Sequence, residues 1–196
     1  MKRPIRTFIT MVLTTVAFWG LAEPLTAQQT MEAQRSTARG EMYSQAAYSK
    51  AAAEISKSNP AVSRKTLEKD TFQVREAEPS VKKLFKKGAL SDEDVQLISI
   101  SAWKDYRQEQ PKGEFSIDRY VNLVDEFGLL VITSTPNGAA IKVDGRPWED
   151  PTNARNGARA GVRTVRLSKP GFEDAVGDVD VKKGESTLFH ADLKPK

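Results

Sequence analysis

At Gly128 the apolar periodicity of this chain changes from about 3.6 residues to 2, so helices must come first and a sheet afterwards. Upstream, the spacing predicts three short helices over residues 80–127. Ser80 is placed to cap the first, with Val81, Leu84 and Phe85 as its apolar stripe and Gly88 at its end. Ser91 caps the second, where Asp92, Glu93 and Asp94 complement the helix dipole and Val95, Ile98, Ala102 and Tyr106 share a face. Ser116 opens the third, which carries Ile117, Tyr120, Val121, Val124 and Phe127 on one side and closes at Gly128. Downstream, Leu129–Ser134 is a β-branched run, and Ile141 and Val143 alternate before an Asp144-Gly145 turn. Further strands are expected at Val162–Leu167, Val176–Val181 and Ser186–Leu193, the last with Phe189, Ala191 and Leu193 facing inward. The fold class expected is α+β, with short helices followed by a small antiparallel β-sandwich.

The region before residue 80 is harder to read. Residues 28–79 are polar, and rich in alanine up to Asn59, with few large apolar residues to hold a helix, and are expected to form a helical or flexible spacer with a stop at Ser58-Asn59-Pro60. Within it, Phe72 and Val74 alternate like a strand amid helix-compatible charge, so residues 61–79 take no assignment. Residues 1–27 read as a signal peptide. Lys2, Arg3 and Arg6 precede an uncharged, apolar stretch from Thr7 to Ala22, and small residues allow cleavage after Ala22 or Ala27. An uncleaved membrane anchor is the alternative, and the intact mass of the mature protein separates the two.

Cleavage changes what the charge means. The formal net charge is +4, and cutting after Ala22 removes three cations and no anion, which leaves +1. A near-neutral protein lacks the positive field that supports non-specific nucleic-acid binding, so no nucleic-acid partner is expected. Cysteine is absent, which excludes a thiol nucleophile, a redox dithiol and any cysteine-based metal site.

Residues 128–195 resemble a PEGA domain, a small β-sandwich module of prokaryotic envelope and extracellular proteins named for a Pro-Glu-Gly-Ala turn. That turn corresponds to Pro136-Asn137-Gly138-Ala139, between the strands Leu130-Val131-Ile132 and Ala140-Ile141-Lys142-Val143. Asp144-Gly145, the strand Gly161-Val162-Arg163-Thr164-Val165 and the Lys169-Pro170-Gly171-Phe172 element follow in order. Asn137 replaces the glutamate, and the stretch Trp148–Ala160 is longer and more polar than the usual connection. The resemblance implies an exported accessory domain without a shared active site.

Candidate chemistry is sparse. His190, the only histidine, has no partner motif and reads as an ordinary strand residue. Asp178 and Asp180 alternate on one strand face but lack a calcium loop. No catalytic, metal or cofactor residue is expected. Two binding candidates remain. Arg146 and Trp148 combine residue types that dominate recognition surfaces, although a tryptophan there more often lids a core. Lys82, Lys83, Lys86 and Lys87 form a cationic face suited to anionic lipid or cell-wall polymer, or simply to solvation.

These readings lead to an exported, non-catalytic protein, periplasmic, envelope-associated or extracellular in a prokaryote. Its β-sandwich is expected to serve binding or cohesion toward an envelope protein or cell-surface polysaccharide, with membrane-surface association as a further expectation, while the helices dock or oligomerise. The alternatives are an envelope enzyme or metal-dependent hydrolase, and a membrane-anchored regulator. The hydrolase reading lacks Gly-x-Ser-x-Gly, His-Glu-x-x-His and a phosphate-binding loop.

Overall fold

In the computed structural model, residues 45–86 and 89–196 are described, and the expected signal peptide lies outside them. Helix α1 covers residues 45–58. Its Tyr48, Ala51 and Ile55, spaced as one helical face, are almost wholly buried. A flexible spacer is therefore not what this segment forms: three apolar residues at that spacing suffice because neighbouring helices supply the rest of the core.

Helix α2 (Arg64–Leu84) corrects the expected start at Ser80, which lies inside it. Its cap is Ser63, whose hydroxyl accepts from the Thr66 amide at 3.1 Å. Leu67, Asp70, Val74, Ala77 and Val81 form the buried stripe, whereas Phe72 faces outward. The stripe was hidden because an aspartate takes one of its positions and Pro79 sits within the helix, where proline usually signals an end. Tertiary packing overrides both local signals.

Helix α3 (Asp92–Glu109) starts with the expected cap at Ser91, here a full capping box with Asp94. Helix α4 (Ile117–Val124) is capped by Ser116 and stops at Asp125, earlier than expected. Phe127 and Gly128 belong to strand β1 (Phe127–Thr135) rather than to the helix end. A Cβ on Gly128 would collide with the Lys182 carbonyl oxygen and lie 3.0 Å from that of Glu185, so this glycine serves a close backbone approach.

Six strands follow: β2 (Ala140–Val143), β3 (Arg146–Pro147), β4 (Ala154–Arg159), β5 (Gly161–Ser168), β6 (Ala175–Val181) and β7 (Ser186–Asp192). They make two sheets, β4-β1-β7 and β3-β2-β5-β6. All pairings are antiparallel except β1 with β7, which is parallel, with Leu129 opposite Ser186 and Thr135 opposite Asp192. The α+β class holds, and one strand pair departs from the expected antiparallel pattern.

The layers are helices, three-stranded sheet and four-stranded sheet. Strand β1 is central to this order, because Phe127 and Leu129 enter the helical core while Leu130 and Ile132 enter the core between the sheets. Burial on both faces explains its continuous apolar run. The second core contains Ile141, Val165, Leu167 and Val181, with Phe189 and Ala191 packed against it and Leu193 buried, as the alternation predicts. Phe189 lies over Gly177 of β6, where a Cβ would come within 2.9 Å of its ring.

Candidate functional site

The stretch Trp148–Ala160 contains the contacts that join the two halves of the fold. Its second part is strand β4, which pairs with β1 from Phe127 opposite Arg159 to Ile132 opposite Ala154. The alternate residues Arg155, Gly157 and Arg159 meet helix α3, while Ala158 is buried between the sheets. Arg155 pairs with Glu93 and with Asp94, each at 2.7 Å. Arg159 pairs with Asp105 at 3.2 Å and with Glu109, and Arg146 of β3 reaches Asp105 at 3.5 Å. Ser101 donates to Asn156 at 2.8 Å, and Lys50 of α1 pairs with Glu149 at 3.1 Å.

These ion pairs are partly solvated, and exposed pairs contribute about 0–1 kcal/mol each. Their combined role is to fix register, while the close contact at Gly157 brings the layers together. Burial pushes the Asp105 carboxyl above its ordinary pKa, with Arg159 and Arg146 pulling the other way. Sequence reading passed over this strand because its residues are polar or small. The signal present was the period-2 spacing Arg155, Gly157, Arg159 opposite a helix rich in carboxylates.

Arg146 is thus engaged with Asp105, and Trp148 is half-buried and packed against the core between the sheets. The Trp148 amide also donates to Ile141 O at 3.0 Å. Further along the same loop, Thr152 ties down the Pro136–Ala139 turn. Its hydroxyl accepts from the Ala139 amide at 2.9 Å and meets Ser134 Oγ at 2.6 Å, while its carbonyl accepts from Gly138 at 2.7 Å.

The four-lysine face also needs correction. Helix α2 ends at Leu84, so only Lys82 and Lys83 lie on it, in the last turn where cations suit the dipole. Lys86 lies beyond the helix, and Lys87 is outside the described residues. Lys82 pairs with Glu78 at 3.2 Å and with Asp92 at 3.3 Å. The Glu78 contact raises its pKa, partial burial opposes this, and Asp92 adds to it.

His190 Nδ1 hydrogen-bonds with Thr133 Oγ1 at 2.8 Å on the neighbouring strand, and its Nε2 lies 3.3 Å from Asp192. Asp178 accepts from Thr164 Oγ1 at 2.8 Å, and Asp180 pairs with Lys182. Among the described residues no three His, Asp or Glu side chains cluster as metal ligands, and no helix is long and apolar enough to cross a membrane.

One buried charged centre was not foreseen. Asp70 of α2 and Arg107 of α3 are each 1 % exposed and paired through both carboxylate oxygens, at 2.5 and 2.6 Å. Trp103 Nε1 donates to Asp70 at 3.2 Å, and Arg107 Nη1 donates to Gln110 O at 2.9 Å and Gly113 O at 2.8 Å. Four of the five guanidinium N–H groups are thus bonded, so the pair organises the α2–α3 packing and the following loop. The Tyr120 hydroxyl, which donates to Ser99 O, is a second buried polar group but an uncharged one, since burial pushes its pKa well up.

No curated protein matches the chain. The β-rich third does have a match: the PEGA domain model matches residues 127–196, beginning at the first residue of β1, so the two sheets described here make up the region that is similar to a PEGA domain.

Proposed function

We propose that the chain is an exported, non-catalytic envelope protein whose PEGA domain serves binding or structural cohesion, with an envelope protein or cell-surface polysaccharide as partner. PEGA domains occur in exported proteins, which supports the location. The observation that carries the role is the α3–β4 junction. The ionisable groups that the fold brings together, Arg155, Arg159 and Arg146 with Glu93, Asp94, Asp105 and Glu109, pair with one another across two layers. Charges used in this way hold a scaffold together, and a catalytic constellation would instead keep a group free to reach a reacting atom.

The test is crosslinking in the intact envelope, followed by identification of what residues 128–196 touch, together with turnover assays on the purified chain. A stable protein or polysaccharide adduct without turnover is expected. Hydrolysis of an envelope substrate by the purified chain would overturn the reading. The intact mass of the exported protein decides between a cleaved leader and a retained anchor.

A further inference from the structure

The strongest unassigned feature is a cavity of ≈ 240 Å³ between the start of α2 and the loop that follows α3. Its floor is the Asp70–Arg107 pair, and Lys65, Lys69 and Lys112 are the lysines that line it. Arg107 holds the loop through its bonds to Gln110 O and Gly113 O, and so places Lys112, from a different element, beside the two lysines of α2. All three are exposed, and none makes an ion pair, in contrast to Lys50, Lys82, Lys104 and Lys182. The first turn of α2 contains no acidic residue, whereas that of α3 contains three. Glu114 lines the same cavity as the one carboxylate besides Asp70, so the three converging lysines are only partly compensated and repel one another, a cost that a bound anion reduces.

A second feature lies on the same row of α2. Phe72 follows Lys65 and Lys69 at i+7 and i+3, and it is 71 % exposed. An exposed aromatic ring one turn from a cationic recess offers a flat apolar surface beside an acid-binding point. That combination fits a polymer of acidic sugars, with a ring against Phe72 and a carboxylate or phosphate in the recess. A planar lipid surface suits a convex cationic face better than a recess.

We propose that Lys65, Lys69 and Lys112, together with Phe72, form a binding site for an anionic polysaccharide. The proposal goes beyond the binding role given above for the PEGA domain, since it places a site in the helical layer and names its ligand class, and it is tested separately from envelope crosslinking. Full-length wild type, the triple variant Lys65→Gln, Lys69→Gln, Lys112→Gln, Phe72→Ala and the control Lys83→Gln, Lys86→Gln are compared. The probes are immobilised polygalacturonate, a glycerol-phosphate polymer, neutral dextran and vesicles containing phosphatidylglycerol.

Wild type is expected to bind one or both anionic polymers in a salt-dependent way, and not dextran. The triple variant should lose about tenfold in affinity and Phe72→Ala about fivefold, with the control unchanged. The two anionic polymers separate carboxylate from phosphate as the recognised group. All substitutions are at exposed positions, and unchanged circular dichroism will show that the fold is retained. Equal binding by wild type and the triple variant, absence of binding to both polymers, or lysine-dependent binding to vesicles alone would overturn the proposal.

Discussion

Gly157 of strand β4 lies directly against Ile98 of helix α3: a Cβ on Gly157 would come within 2.7 Å of the Ile98 Cα and 2.9 Å of the Ser101 Cβ. Backbone and Cβ atoms cannot swing aside as a long side chain does, so this contact sets how closely the helical layer can approach the sheet. The arginine pairs on either side of it depend on that approach.

Gly157→Ala should therefore destabilise the protein by about 1–3 kcal/mol, the usual range for overpacking. Urea denaturation followed by circular dichroism measures it. A midpoint equal to that of wild type would mean that α3 can retreat from β4 without loss, and that the junction is looser than described.

Asp70→Ala leaves Arg107 charged and buried without its carboxylate, and breaking such a pair costs about 3–5 kcal/mol. Removing both charges, as in Asp70→Ala with Arg107→Met, should be less damaging than the sum of the single changes, because no isolated charge remains. A double-mutant cycle by chemical denaturation checks this, and strict additivity would contradict the coupling.

Asp105 gives a pH dependence of definite sign. Its folded pKa is raised, mainly by burial, so the folded state holds the proton where the unfolded chain has released it. The contribution of Asp105 is most favourable below the ordinary carboxylate value, about 3.9, and is lost as pH rises through the elevated folded value. Asp105→Asn should accordingly be more stable than wild type near about pH 7, with the gain disappearing toward about pH 4. Denaturation midpoints of the two proteins across this range provide the measurement. A variant less stable than wild type at neutral pH would show that the Arg159 and Arg146 pairs outweigh burial.

Trp148→Ala should cost about 2 kcal/mol by exposing the core that the ring half covers, while leaving binding to envelope material unchanged. Thermal denaturation and a retention assay are read together. Loss of retention at unchanged stability would return Trp148 to the role of a recognition residue.

How much of this was legible varies by element, for physical reasons. Strands with one face in the core between the sheets announced themselves, since Ile141 and Val143, or Val165 and Leu167, alternate with solvated neighbours. Helix α3 was legible from its cap and first-turn carboxylates. Helix α2 was not, because Asp70 and Pro79 interrupt the two cues that mark a helix, an apolar stripe and an unbroken backbone donor series. Strand β4 was missed because arginines and a glycine cover one of its faces against a helix, so it shows no apolar alternation. Of the candidate residues, Trp148 and Arg146 were noticed by type, but their partners Ile141 and Asp105 come from other elements.

The amino-acid sequence by itself determined the order of helices before strands, the turns at Gly138 and Gly145, and the likeness of the last third to a PEGA domain. These depend on apolar period and backbone preference, which are local. Only the tertiary structure decided that β4 is clamped to α3, that Asp70 and Arg107 share a buried site, and that Lys112 stands beside Lys65 and Lys69. Those relationships join residues tens of positions apart, and their energies arise from desolvation and close packing that exist only once the layers have met.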